Sequence, residues 1–358
     1  MPSLKEIKGR INSISSTLAI TSAMKMVAAA KLQKAQMAIQ NMLPYERRLH
    51  SMLIDLMGAM NISAAASEDG SVRGSGSAER GFDQSGDRLS LSNRHDLAGM
   101  DGAYSLMAQR EVRKVAIVAF ASNSSLCGAF NSNVIREATA VINEYRASGL
   151  GDADITVYSV GRKMAEAMKK LGFPSPADFT KMSDSPSYDA ASALAQELLD
   201  GFVSGRFDKV ELVYNHYKST SSQPTIRQTY LPLSLADATA DLQAGKIADS
   251  ASESDTNRGA EPVGAPVVRQ GSPTTEDLIV EPSKEELIAT LLPKVVRLRV
   301  FTTLLDSTAA EHAARTVAMQ LATDNGNDLL QELTLEYNKG RQQKITSEIL
   351  DLVGGSMQ

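Results

Sequence analysis

Ser3-Leu4-Lys5-Glu6-Ile7, running on to Ile11, Ile14 and Leu18, is the stretch whose reading decides the fold. Ser3 with Glu6 three positions on has the form of a capping box, in which each side chain can satisfy a free backbone donor at a helix start. From there Leu4, Ile7, Ile11, Ile14 and Leu18 recur at alternating spacings of three and four. That is the narrow seam of a coiled coil rather than the broad face of a globular helix. The same register continues through Thr21, Lys25, Ala28, Leu32, Ala35, Ile39 and Met42. The middle of the seam is small or polar, which predicts a poor core and a zone open to contact. Pro44 is expected to kink or divide the helix, after which Leu49, Met52, Leu53, Leu56 and Met60 resume a helical spacing.

The far end of the chain mirrors this design. Pro282-Ser283 with Glu286 repeats the capping box, and a helical pattern then reaches Val353 before Gly354-Gly355, which is expected to stop it. At 1.5 Å per residue the two helices span roughly 80 Å and roughly 105 Å. Neither fits inside an ordinary compact domain. Leu287, Leu291, Leu298, Phe301 and Leu305 offer a seam to match the first helix, and Ile345, Ile349 and Leu352 form an apolar tip. The two ends are expected to wrap around each other as a long antiparallel coiled coil.

Between them the texture changes. Val115–Phe120 and Ile155–Val160 read as buried strands, each followed by a helical stretch near 132–146 and 162–171. A further helix fits Asp189–Val203 and a third strand Val210–Tyr217, with Ile226–Leu233 returning antiparallel. Alternating strand and helix predicts a mostly parallel sheet in a Rossmann-like α/β domain. The division that follows is 1–62 for the first helix, 63–110 for a Gly/Ser-rich insertion and 111–235 for the α/β domain. An acidic insertion occupies 236–281 and the second helix 282–358. Short helices over 89–97 or 237–248 are open within the insertions.

Composition bounds the chemistry. The 358 residues are 42% hydrophobic and 22% charged, with 5% aromatics, no Trp and 15 Met, a mixture suited to long helices. Cys127 is the sole cysteine, so no intrachain disulfide and no cysteine-built metal cage can form. No run of apolar residues approaches the 18 needed to span a bilayer as a helix, and the N-terminal sequence carries no export signal, so cytoplasmic synthesis is expected. The net charge of −5 conceals an asymmetry: residues 1–50 hold eight Lys/Arg against two Glu, whereas 236–281 hold three Lys/Arg against nine Asp/Glu.

Several motifs invite a catalytic or ligand-binding reading. The turn Ala121–Asn131 follows a strand and precedes a helix, where backbone donors can cradle an anion, yet it lacks the glycines of a phosphate loop. A structural turn, with Cys127 as a small buried residue, is the expectation. His50, His95, His216 and His312 show no metal-ligand spacing, so no metal and no cofactor are expected. The basic N-terminal arm has no aromatic residue before Tyr45, so it offers no base-stacking platform and nucleic acid is not the expected partner. An α/β small-molecule-binding protein with coiled-coil arms, or a coiled-coil scaffold, stands as the alternative.

Read together, Leu4-Lys-Glu-Ile-Lys and Ile20-Thr-Ser-Ala-Met-Lys-Met-Val-Ala-Ala-Ala-Lys-Leu32 resemble the N-terminal helix of the gamma-subunit family of F-type ATP synthases. Ala310-Glu-His-Ala-Ala-Arg315, Ala322-Thr-Asp-Asn325, Leu333-Thr-Leu-Glu-Tyr-Asn-Lys-Gly-Arg-Gln342 and Ile345-Thr-Ser-Glu-Ile349 resemble its C-terminal helix. Leu126-Cys-Gly-Ala-Phe-Asn-Ser-Asn133 and Tyr214-Asn215 fit the central region. The resemblance covers the chain apart from the two insertions.

It implies a rotor shaft without a reaction of its own. The coiled coil would penetrate a ring of alpha and beta subunits, and the foot would sit on the epsilon subunit and the membrane c-ring. Such a shaft couples proton-driven rotation to ATP synthesis and hydrolysis, and lies peripherally on the cytoplasmic face of the bacterial inner membrane. By motif matching, Met24, Lys25, Met26 and Lys31 fall on one contact with beta, and Arg341, Gln342 and Thr346 on a second. Ile349, Leu352 and Val353 fall in an apolar bearing. Departures from the family pattern are Leu18-Ala19 and Ser22, which thin the basic collar, and Ser124-Ser125 in place of Asp-Arg. The acidic insertion lacks the cysteines of the chloroplast redox switch; it is instead expected to act as an electrostatic or steric brake, a reading that unchanged ATPase rates on deletion of 238–275 would sink.

Overall fold

The computed structural model describes residues 3–59, 105–233 and 284–356. Residues 63–104 of the first insertion, all of the 236–281 insertion with the short helices considered there, Met60, His95 and the Ser283 cap lie outside the described residues. Two helices frame the chain: α1, Leu4–Ala59, of 56 residues, and α6, Lys284–Ser356, of 73 residues. Ser3 caps α1 as expected, its Oγ accepting from the Glu6 N–H at 3.2 Å. The reciprocal half of the box is replaced, because the Glu6 carboxylate takes Arg10 Nη2 at 2.9 Å.

Pro44 does not divide α1, which is helical on both sides of it. Both Pro44 and Gln40, whose carbonyl loses its usual donor, face solvent, where water can serve that carbonyl. Gly354-Gly355 likewise does not stop α6, whose helix runs to Ser356.

The central sheet has the strand order β2-β1-β3-β4. Strands β1 (Val115–Phe120), β2 (Ile155–Val160) and β3 (Lys209–Asn215) are parallel, and β4 (Thr225–Leu231) returns antiparallel along β3. Helices α2 (Phe130–Ala147), α3 (Arg162–Lys170), α4 (Thr180–Asp184) and α5 (Tyr188–Val203) complete the domain.

Strand β1 is buried on both faces, and its alternation sorts its side chains between two cores. Val115, Ile117 and Ala119 pack with Val134, Ile142 and Tyr145 of α2 and Met164 and Met168 of α3. Ala116, Val118 and Phe120 point the other way, into a larger core. That core joins Leu194 and Leu198 of α5 to Leu49, Leu53 and Leu56 of α1 and to Ile288, Leu292 and Val296 of α6. The roots of both long helices therefore form one layer of the α/β domain, and the shaft cannot separate from it without opening a core. Leu106, inside the stretch assigned to the first insertion, is 3% exposed and belongs to the same core.

Glu211 is almost fully enclosed between β3 and α2, where burial alone would raise its carboxyl pKa. Arg227 Nε at 2.7 Å, Lys209 Nζ at 2.7 Å and the Tyr145 hydroxyl at 2.6 Å together outweigh that and hold it below the usual range. The network ties the antiparallel β4 to β3 and α2.

Candidate functional site

The two long helices are antiparallel and in a fixed register. Gly340 faces Leu4, Gly326 faces Leu18, and Thr323 Oγ1 meets Thr21 Oγ1 at 3.2 Å. Lys25 Nζ donates to Gln320 Oε1 at 2.8 Å, and Thr302 Oγ1 donates to Glu46 Oε1 at 3.1 Å. Each step forward in α1 is matched by a step back in α6. The stretch expected to be a poor core packs closely: Ala28, Leu32 and Ala35 are buried, the last two against Ala309 and Ala313. Small residues on both sides let the backbones approach. At Gly326 a Cβ would lie 2.6 Å from Leu18 Cδ2, so that crossing excludes a larger residue without movement of Leu18. Phe301, expected on the seam, is half-buried against the larger core and stacks edge-on against Tyr188 of α5, with ring centroids 5.7 Å apart.

Because Gly340 already faces Leu4 near the start of α1, the remainder of α6 runs on with no described α1 residue beside it. Arg341, Gln342 and Thr346 are exposed at the base of this single-helix segment. Ile349, Leu352 and Val353 are 54%, 74% and 52% exposed at its end, joined by Ile345 and Leu350. A soluble helix does not leave so many large apolar side chains in water without a use for them.

The other predicted contact residues lie elsewhere on the shaft. Lys25 faces Gln320 of α6, 21 positions before Arg341, so the two groups are about 30 Å apart along the axis. They form two bands and not one site. Met26 is 63% exposed, beside exposed Ile20 and Val27 on the outer face of α1. Lys31 is exposed, whereas Met24 and Lys25 are half-buried, and Lys25 is turned toward α6 by its bond to Gln320.

Two polar docks join the domain to the shaft, and sequence reasoning assigned neither. In the first, Asp306 of α6 accepts from the Tyr217 N–H at 2.8 Å and pairs with His216 Nδ1 at 2.6 Å, while Gln36 of α1 donates to the Tyr217 hydroxyl at 2.6 Å. One turn after β3 thus grips both helices. The bond to Asp306 raises the pKa of His216, outweighing the opposing effect of burial.

In the second dock, Arg315 reaches Glu311 Oε1 at 2.6 Å and Ser124 Oγ at 2.8 Å, pinning the turn after β1 to α6. Burial pushes the Glu311 carboxyl pKa up. Burial, and then the charges of Arg315 and Lys31, push His312 down to about 4, so it is neutral at pH 7. The i, i+4 spacing of Glu311 and Arg315 within a quoted motif was the legible signal. Their partner Ser124, one of the departures from the family pattern, was not.

The Ala121–Asn131 turn is occupied by its own side chains. Asn131 Oδ1 accepts from the Ser122 N–H at 3.0 Å, and Cys127, 1% exposed, packs with Phe130 and Ala310. At Gly161, with φ of +96°, a Cβ would fall 2.0 Å from the Ala121 carbonyl oxygen, so the neighbouring turn closes against it. Among the described residues, no helix is long and apolar enough to cross a membrane.

Comparison with known proteins agrees with this geometry along the whole chain. The family model described as ATP synthase matches residues 3–357. The chain is 47% identical over 357 residues to the ATP synthase gamma chain of Phocaeicola vulgatus, and 46% identical over 358 residues to that of Bacteroides thetaiotaomicron. In both cases all of each chain is covered. Its fold is similar to a chain of the Euglena gracilis mitochondrial ATP synthase, OSCP/F1/c-ring, with a TM-score of 0.52, 19% identity and coverage of 99% and 93%. A whole-chain family match, full-length relatives at this identity and a two-helix shaft rooted in an α/β domain converge on one statement: the chain belongs to the ATP synthase gamma chain family.

Proposed function

We propose that this chain is the rotor shaft of an F-type ATP synthase, coupling rotation of a membrane c-ring to ATP synthesis and hydrolysis in a ring of alpha and beta subunits. The observation that carries the reading is the asymmetric shaft, a closely packed helix pair that continues as one helix with an exposed apolar end. An apolar tip can turn inside an apolar collar without breaking specific bonds. The band of Met24, Lys25, Met26 and Lys31 meets an acidic segment of beta, Arg341, Gln342 and Thr346 meet a second beta loop, and Ile349, Leu352 and Val353 sit in the bearing.

The α/β domain is the foot, resting on epsilon and the c-ring, and the two docks carry torque from it to the helices. Catalytic residues belong to the ring, and this chain has no reaction of its own. It lies peripherally on the cytoplasmic face of the bacterial inner membrane; its 47% identical relative is bacterial. The division into a 1–62 helix, a 63–110 insertion, a 111–235 domain, a 236–281 insertion and a 282–358 helix is part of the proposal.

The test is co-expression with the alpha and beta subunits from the same source, followed by an ATP hydrolysis assay with and without the chain. One copy per six ring subunits, with hydrolysis lost when the 20–34 arm and residues 341–358 are both altered, supports the shaft. Failure to assemble with folded alpha and beta refutes it.

A further inference from the structure

We propose that the Asp306 dock is a proton-operated latch between the α/β domain and the helix pair, closed while His216 carries its proton and slackened when the proton leaves. Asp306 offers one carboxylate oxygen to each of two neighbours: Oδ2 pairs with His216 Nδ1 at 2.6 Å, and Oδ1 accepts from the Tyr217 N–H at 2.8 Å. Tyr217 in turn packs against the cluster of Leu32, Ala35, Ala309 and Ala313, and its hydroxyl accepts from Gln36. One imidazole thus bears on a contact that joins the end of β3 to both α1 and α6.

The dock lies at one end of the joint. The buried α1 residues of the larger core begin at Leu49, 13 positions past Gln36, or about 20 Å along the axis. That core is apolar, so it holds the root of the domain at any pH near neutrality, and the dock sets how firmly the far end is held. Losing the proton does not remove the bond between His216 and Asp306, because a neutral imidazole can keep its hydrogen on Nδ1. It removes the charge, and charge-assisted bonds are roughly twice as strong as neutral ones.

The His216 side chain is 44% exposed, so water can exchange its proton. Its bond to Asp306 outweighs burial and the opposing charge of Lys218 and raises its pKa. The latch is therefore closed at pH 6 and slackens as pH rises through the folded value. The other charged or titratable groups facing the same cleft are Glu46, Arg47 and His50 of α1, Arg299 of α6, Tyr214 of β3 and Tyr217 beside it. His50 is the second imidazole there, and the variant below separates its effect from that of His216. The inference is independent of the rotor reading.

The test is hydrogen exchange of the full-length chain, read at single amides by mass spectrometry at pH 6 and pH 9, with each rate divided by the intrinsic rate of that amide at that pH. The Tyr217 amide reports the dock, and the Ala121 amide, bonded to the Val160 carbonyl at 2.8 Å, is the reference. Relative to Ala121, Tyr217 is expected to exchange about threefold faster at pH 9 than at pH 6, the size expected when one partly exposed bond loses its charge. In His216→Gln, which carries no charge at either pH, the increase is expected to vanish, while protection of Ala121 shows that the variant is folded. Equal Tyr217 exchange at the two pH values in the parent, or the same increase in His216→Gln, overturns the proposal.

Discussion

His312 makes the shaft sensitive to acid in a calculable way. It sits on α6 beside Arg315 and Lys31, and its pKa falls from 6.5 to about 4, chiefly through burial and then through those two cations. The unfolded chain takes up the proton first on acidification, so the folded state loses stability as pH drops from 6.5 toward 4. Between pH 7 and pH 5 the linkage amounts to about 2 kcal/mol, or about 1 kcal/mol once solvent screening at this partly exposed ring is allowed for. Glu311 opposes it, because its raised carboxyl pKa makes the folded state the better proton acceptor on acidification. A comparison with His312→Gln cancels the Glu311 contribution and isolates the imidazole. Urea unfolding of the full chain and the variant at both pH values measures the difference. The parent is expected to lose about 1 kcal/mol more than the variant on going to pH 5. A difference that stays constant between the two pH values would refute the argument.

Three further outcomes follow from the packing. Asp306→Asn is expected to cost about 1 kcal/mol, measurable by urea unfolding at pH 6. That cost shrinks at pH 9, because the contribution of a His with a raised folded pKa is full while it is protonated and is lost as pH rises through the folded value. Gly326→Val, which drives a side chain into Leu18, is expected to destabilise the helix pair by about 1–3 kcal/mol. Gly340→Ala, opposed only by Leu4 Cδ2 at 3.1 Å, is neutral or gains up to about 1 kcal/mol of helix propensity; thermal unfolding of the two variants checks the opposite signs. Glu311→Gln strips the buried Arg315 of its carboxylate and is expected to cost about 3–5 kcal/mol, against about 1 kcal/mol for Ser124→Ala, read by chemical denaturation.

The elements were legible in the sequence because each rests on short-range regularity. The three-and-four spacing from Leu4 to Leu18 requires a helix with a narrow partner, and the continuous apolar run Val115–Phe120 requires a strand buried on both faces. Residue types at helix starts marked where such patterns begin. Pro44 does not divide the helix, because the cost of a proline depends on whether the carbonyl it frees can reach water, and the local sequence does not show which side faces out.

The contact residues were named by motif matching, and what they face was settled by packing. Lys25 is turned toward Gln320, 295 positions away in the chain, and Phe301 stacks against Tyr188 of α5. The docks were beyond reach for the same reason: Asp306, Tyr217 and Gln36, or Arg315 and Ser124, meet only after the antiparallel register is set. The sequence by itself determined two seamed helices, a parallel α/β core and a single cysteine unable to cross-link. Only the tertiary structure decided the register of the shaft, the length of helix left single beyond Leu4 and the joint between domain and helices. Periodicity is encoded residue by residue along one helix, whereas register comes from small residues such as Gly326 and Ala309 meeting particular partners hundreds of positions away.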